Sequence, residues 1–155
     1  MSMRRRVGAA ALLIAGMCTI PATAQHAWAA ASTTQVSLTE TTVSIVGPTS
    51  EWVEGGILHV RGRTDVNAVS GDLQGTLTAE LDLDVNLASG DGDFHGQFTL
   101  ATQRAIWSGS ARGLLQGWGA SGTYVGRGAD GSEIFGAFRQ TGAATFTDRA
   151  EILVP

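Results

Sequence analysis

The sequence predicts an all-β protein: a single eight-stranded antiparallel barrel, connected as an up-and-down meander and preceded by an N-terminal signal peptide. Three observations support this fold class. After residue 31 no window shows the 3.6-residue apolar period of an amphipathic helix, alternation of apolar and polar residues recurs throughout, and glycine-rich turn signals divide the chain at regular intervals. The short links leave no room for the crossovers of a Greek key, so consecutive strands are expected to be neighbours.

The first 31 residues have the three-part order of a secretory signal peptide. Residues 1–6 are cationic, residues 7–20 are apolar, and residues 21–31 are rich in the small residues that precede a cleavage site. The apolar run is too short and wrongly flanked for a membrane span. We therefore expect a cleaved signal, a mature domain over residues 32–155 without a membrane span, and secretion to the cell envelope or the extracellular medium.

Turn residues divide the mature domain into eight predicted strands. In residues 77–87 apolar side chains alternate with polar and acidic ones, which is the pattern of a strand with one buried face. In order, the strands cover residues 36–46, 52–63, 73–87, 93–101, 105–114, 118–127, 132–140 and 144–153. The breaks between them are at 47–48, 70–72, 90–92, 102–104, 116–117, 130–131 and 142. Gly55-Gly56 lies inside the second strand, either as a β-bulge or as a tight hairpin that would raise the number of strands to nine.

The charge of the mature domain excludes one class of partner. It holds seven arginines, no lysine and fourteen acidic residues, for a formal charge of about −7. Such a surface repels phosphate backbones, so we expect no nucleic-acid binding.

The sequence contains few residues suited to metal or cofactor chemistry. The single cysteine, Cys18, belongs to the predicted signal, and the two mature histidines, His59 and His95, lack a metal-ligand spacing. Gly126–Gly131 fits G-x-G-x-x-G but leads into another predicted strand, where a dinucleotide site needs a helix N-terminus. We expect no metal and no cofactor.

The aromatic residues alternate with glycines on the predicted strand faces, so large rings stand beside positions that have no side chain. Either neighbouring rings fold over the glycines and fill the barrel, or a cavity remains. A cavity with such walls would suit a small hydrophobic molecule. The candidate ligand-binding residues are Phe94, Phe98, Trp107, Trp118, Tyr124 and Phe138.

A row of cationic residues alternates with apolar ones in the segment 57–64. If the second and third predicted strands pair around the turn at 70–72, this row faces acidic residues on an exposed outer wall. The predicted pairs are His59 with Asp84, Arg61 with Asp82 and Arg63 with Glu80. Alternatively, His59 and Arg61 line the lumen as a proton donor and an anion anchor.

The spacing of glycine and aromatic residues resembles that of a known group of proteins. The chain contains W-x-x-G-G-x-x-H-x-R-G at residues 52–62, then G-x-F and W-x-G, and finally G-x-G-x-D-G-x-x-x-x-G-x-F at residues 126–138. It resembles small secreted bacterial proteins of the allene oxide cyclase and dirigent barrel group. The resemblance implies an eight-stranded barrel around an apolar cavity, in which some relatives steer cyclisation or coupling of a bound intermediate mainly by shape. No catalytic residue of the plant enzymes matches a position here.

Together these observations lead to the expectation that the protein binds a small hydrophobic ligand in its lumen. A cyclase-like activity would add one proton donor, for which His59 and His95 are the candidates; the sequence leaves open whether the protein is an enzyme. The alternative is an extracellular or envelope interaction protein with a packed core and no ligand.

Overall fold

The computed structural model describes residues 32–155, and the predicted signal peptide, residues 1–31, lies outside the described residues. The described chain contains nine strands. They are β1 (Ser32–Val46), β2 (Ser50–Glu54), β3 (Ile57–Gly71), β4 (Gly75–Asn86), β5 (Gly92–Thr102), β6 (Ile106–Gln116), β7 (Gly119–Gly128), β8 (Glu133–Gly142) and β9 (Thr145–Val154). Across these same residues, no helix has the length and apolarity needed to cross a membrane.

Eight of the strands form a closed antiparallel barrel, which confirms the predicted fold class. β3 to β9 are paired in chain order, and β1 closes the sheet by pairing with both β9 and β3. The ninth strand, β2, pairs with β3 alone. One edge of β3 therefore pairs with two strands. Its first residues pair with β2, and its later residues pair with β1.

The prediction of one strand over residues 52–63 is wrong, because a hairpin turn interrupts it. Gly55 and Gly56 both adopt positive φ angles, 57° and 83°. Two consecutive residues in this region give the two-residue turn whose twist matches that of paired strands. The tight-hairpin alternative therefore describes the chain, and it accounts for the strand outside the eight-stranded barrel.

A β-bulge at Gly62 changes which side chains of β3 face the lumen. The pairing of β3 with β4 shifts between Val60 and Arg63, and Gly62 has a φ of 64°. Strict alternation would place Arg63 on the same face as Arg61. Because the bulge adds one residue, Arg63 lies on the inner face with Val60, whereas Arg61 lies on the outer one.

The two ends of the barrel differ in packing. The closed end, near the turns at residues 72–74, 103–105 and 129–132, is filled by side chains with almost no solvent exposure, which include Leu100, Trp107, Ile134 and Ile152. The open end lies at the turns 55–56, 87–91, 117–118 and 143–144. The cavity described next lies between the closed end and these turns.

Candidate functional site

The barrel encloses a cavity of about 320 Å³ that reaches the open end. Its walls are mainly aliphatic and aromatic, with a smaller set of polar groups. The lining residues come from all eight barrel strands and are Glu40, Thr42, Ile45, Leu58, Val60, Arg63, Asp65, Asn67, Leu77, Ala79, Leu81, Leu83, Val85, Phe94, Phe98, Ala111, Leu115, Trp118, Ala120, Tyr124, Phe138, Gln140, Ala143, Ala144 and Phe146.

The rings of the wall fold over glycines of neighbouring strands. A Cβ atom added at Gly126 would lie 2.7 Å from the Phe98 ring, and one added at Gly122 would lie 2.9 Å from the Phe138 ring. The same relation holds for Phe94 over Gly113 and for Tyr124 over Gly136. Both sequence alternatives are therefore realised in part, because the rings cover the glycines and a cavity still remains beside them.

The covered glycines let the rings lie flat enough to meet one another. Phe98 and Tyr124 have ring centroids 5.3 Å apart, Phe94 and Phe138 are 5.9 Å apart, and Phe138 and Phe146 are 6.1 Å apart. Aromatic pairs at such separations attract each other beyond the burial of their area. Tyr124 and Phe138, whose ring centroids are 6.4 Å apart, join these contacts into one continuous aromatic wall of the cavity.

The six candidate ligand-binding residues do not all belong to this cavity. Phe94, Phe98, Tyr124 and Phe138 line it directly. Trp118 also borders it, but from the turn at the open end, where the residue is 56 % exposed and its φ is 70°.

Trp107 is the exception among the six. It points inward, but at the closed end, where it is fully buried and donates a hydrogen bond from Nε1 to Ser132 Oγ at 2.9 Å. It lies outside the cavity wall and packs the core. The alternation along the strand predicted that Trp107 points inward, but alternation does not predict how far along the barrel axis a residue lies.

A cluster of polar residues at mid-height, here called the polar floor, consists of Glu40, Asn67, Tyr124 and Asp148. The first three line the cavity, whereas Asp148 lies outside its wall. Of the four, the sequence analysis had named only Tyr124. All four are buried, and they come from β1, β3, β7 and β9. Asn67 Nδ2 donates to Glu40 Oε2 at 2.8 Å. A signal was present in the sequence, because Glu40 continues the inward row of Val36 and Leu38, where an acidic residue is out of place.

Several atoms of the polar floor have no hydrogen-bond partner among the described residues. They are Asn67 Oδ1, the Tyr124 hydroxyl and both carboxyl oxygens of Asp148. Buried polar atoms without partners are rare in proteins and call for an explanation. Asn67 and Tyr124 present theirs in the wall of the cavity itself.

Burial strongly affects the protonation of the polar floor. Loss of hydration, together with the neighbouring Glu40 carboxyl group, raises the pKa of Asp148 far above the usual range of an aspartate. Burial, followed by the charges of Asp148 and Glu40, also raises the pKa of Tyr124. At neutral pH both Asp148 and Tyr124 are therefore protonated and uncharged.

The cavity wall contains one cation, Arg63, within residues 32–155. Its guanidinium group donates to both carboxylate oxygens of Asp65, at 2.7 and 2.9 Å. The predicted pair of Arg63 with Glu80 on the outer wall is wrong, because the bulge at Gly62 turns Arg63 inward. Since Arg63 is neutralised within its own strand, no cation of the cavity wall pairs with the polar floor.

The two histidines proposed as proton donors lie outside the cavity. His59 stacks on Trp52 with ring centroids 4.9 Å apart, and its Nδ1 is 2.6 Å from Asp84 Oδ1, which confirms the predicted pair. Arg61 also binds Asp84, at 2.8 Å, instead of the predicted Asp82. Its hydrogen bond is the main reason why the pKa of Asp84 is lowered.

His95 lies on the outer face of β5. Its Nε2 is 4.0 Å from Asp82 Oδ2, and its side chain is 68 % exposed. Neither histidine can therefore reach a molecule held in the lumen.

No model of a known protein family matches this chain, and no curated protein matches it. Within the described residues, no three histidine, cysteine, aspartate or glutamate side chains are grouped closely enough to hold a metal ion.

Proposed function

We propose that this protein binds a small hydrophobic molecule inside its barrel. The observation that carries the proposal is the cavity of about 320 Å³ with a continuous aromatic and aliphatic wall. Cavities of roughly 300–1,000 Å³ with mostly apolar walls and a few polar groups are typical of small-molecule sites. The open end provides a route of entry, and Trp118 borders it.

The sequence resemblance to the allene oxide cyclase and dirigent barrel group supports the same proposal, since it too implies a barrel around an apolar cavity. The proposal concerns binding alone. A cyclase-like reaction that uses His59 or His95 would need the histidine inside the lumen, and both lie on the outer face. The proposed site of action is outside the cell or in its envelope, as the signal-like N-terminus suggests.

The proposal is tested by titrating the purified protein with N-phenyl-1-naphthylamine, a neutral probe whose fluorescence rises in apolar surroundings. We expect saturable binding by the wild type. The substitution Ala111→Phe places a ring in the cavity wall, and we expect it to abolish the signal. Ala120→Phe gives a second blocking variant nearer the open end, in case the first does not fold.

A matched control adds the same ring on the outside. Ser110 is the neighbour of Ala111 on β6 and faces outward, so Ser110→Phe should leave the probe affinity unchanged. If the wild type does not bind the probe, or if folded Ala111→Phe and Ala120→Phe bind it as well as the wild type does, the lumen is not the site. The alternative function, an interaction protein without a ligand, would then be favoured.

A further inference from the structure

The polar floor carries more hydrogen-bond acceptors than the protein itself satisfies. Asn67 Oδ1 accepts no hydrogen bond within residues 32–155, and Asn67 lines the cavity and is 6 % exposed. Glu40 also lines the cavity and accepts from Asn67 through Oε2, and a carboxylate can accept from further donors. A buried acceptor without a donor costs free energy comparable to a lost hydrogen bond. The floor is therefore suited to a ligand that brings donors.

The charge of the floor indicates which kind of donor fits. Glu40 is the acidic residue of the floor that lines the cavity, and the one cation of the cavity wall, Arg63, is bound to Asp65. A carboxylate or phosphate ligand would face the acidic Glu40 in a largely apolar site, which is unfavourable. An alcohol would be tolerated but donates only one hydrogen bond, whereas an ammonium group donates three and carries the missing positive charge.

The walls favour a cation as well. Six aromatic residues line the cavity: Phe94, Phe98, Trp118, Tyr124, Phe138 and Phe146. The faces of aromatic rings attract organic cations, and this attraction is greatest where water is excluded. The remaining wall is aliphatic, so the rest of the ligand must be apolar.

We infer that the molecule bound in this barrel is a hydrophobic amine, with its ammonium head against Glu40 and Asn67 and its apolar body between the aromatic wall and the open end. This inference rests on the proposed function, and it narrows the ligand to one chemical class. It follows from the position of the unsatisfied acceptors, the acidic character of the floor and the pairing of Arg63.

The test compares three ligands with the same apolar body: decylamine, 1-decanol and decanoate. Each is titrated into the purified protein at pH 7 by calorimetry, below the concentration at which it forms aggregates. We expect decylamine to bind at least about tenfold more tightly than 1-decanol, the ratio that one charge-assisted hydrogen bond supplies, and decanoate to bind most weakly.

Variants of the polar floor distinguish the contribution of the ligand's head group from that of its apolar body. Glu40→Gln removes the acidic charge and Asn67→Leu removes the unpaired acceptor, and each should reduce the preference for decylamine over 1-decanol at least severalfold while 1-decanol still binds. Glu80→Gln is the matched control, because it removes the same charge from the outer face of β4 and should leave the preference unchanged. It also detects binding of the amine to the acidic exterior.

A second readout follows proton release. Glu40 from β1 and Tyr124 from β7 are the titratable groups that act on Asp148, whose carboxyl group is protonated at neutral pH. An ammonium bound at Glu40 offsets the negative charge that helps to raise the pKa of Asp148, so decylamine should displace up to one proton, and 1-decanol should displace none. Calorimetry in two buffers of different ionisation enthalpy measures this difference, and Asp148→Asn should remove it.

The possible outcomes distinguish the two proposals. If 1-decanol binds and Ala111→Phe blocks it, but decylamine shows no preference and no proton release, the barrel binds hydrophobic molecules and the amine inference is wrong. Tighter binding of decanoate contradicts it as well. If none of the three ligands binds, or if Ala111→Phe changes nothing, the proposed function fails together with the inference.

Discussion

Asp148 lies on the inner face of β9, 3 % exposed, between the apolar residues Phe146 and Ala150. Its surroundings replace water with rings, methyl groups and the acidic Glu40, and each of these disfavours the carboxylate. In the unfolded chain the same side chain would ionise near its ordinary pKa of about 3.9. Its protonation therefore couples the stability of the fold to pH.

We expect this coupling to make the protein less stable as pH rises above about 4. The pKa of Asp148 is raised in the folded state, so over this range the folded chain retains a proton that the unfolded chain has released. The stabilising contribution is complete below the unfolded pKa and is lost as pH rises towards the folded one, by at most about 1.4 kcal/mol per pH unit. Asp148→Asn should flatten the dependence and be more stable than the wild type at pH 8.

Urea denaturation between pH 4 and pH 8 measures this effect. Asp93→Asn, on the outer wall of β5, is the control and should leave the slope as it is. A slope that is the same in Asp148→Asn and in the wild type would show that Asp148 is not the group responsible.

At the scale of the strand, β3 determines the chemistry of both faces of the wall. Its first residues place His59 and Arg61 outside, against Asp84 and Trp52. After the bulge at Gly62, its inner face carries Arg63, Asp65 and Asn67 into the lumen. One inserted residue thus allows a single strand to carry an outer ion pair and part of the polar floor.

We expect the bulge to depend on glycine at position 62. Gly62 has a φ of 64°, and any other residue in this left-handed region is strained by about 1–2 kcal/mol. A Cβ atom at this position would also lie 2.6 Å from Thr49 Oγ1. Gly62→Ala should therefore lower the free energy of unfolding by at least about this amount, as measured by urea denaturation.

Gly47→Ala is the matched control for this substitution. Gly47 precedes the same Thr49 in the chain, it has no positive φ, and a Cβ atom added there meets nothing within 4 Å. If Gly62→Ala is as stable as Gly47→Ala, the bulge does not require glycine, and the explanation for the inward turn of Arg63 is wrong.

The behaviour of β3 also explains which parts of the site could be predicted from the sequence. Period-two alternation correctly placed Leu58 and Val60 inside and paired His59 with Asp84, because these residues precede the bulge. Beyond Gly62 the same alternation gave the wrong face for Arg63. Glycine supplies no side chain to the pattern, so a one-residue shift of register at such a position leaves no trace in the alternation.

At the scale of the whole molecule, the protein is a closed barrel with one packed end, one open end and an acidic exterior. Composition and turn spacing were sufficient to predict the all-β class and the closed eight-stranded barrel, since both depend on features that repeat along the chain. The existence of the cavity depends on how the volumes of residues from eight strands add up at each height. Trp107 and Trp118 illustrate this. The same aromatic pattern predicted both as ligand-binding residues, but Trp107 lies in the closed end and Trp118 at the open end.

The central claim is that an apolar molecule enters the lumen, and its most direct test is a methyl NMR spectrum of the protein with and without saturating N-phenyl-1-naphthylamine. We predict that the shifted signals belong to inward-facing methyl groups, such as those of Ala79, Leu83 and Ala111, and that the outward-facing Val43 and Val125 stay in place. Shifts confined to Val43, Val125 and other outer methyl groups, or no shifts at all, would contradict the account.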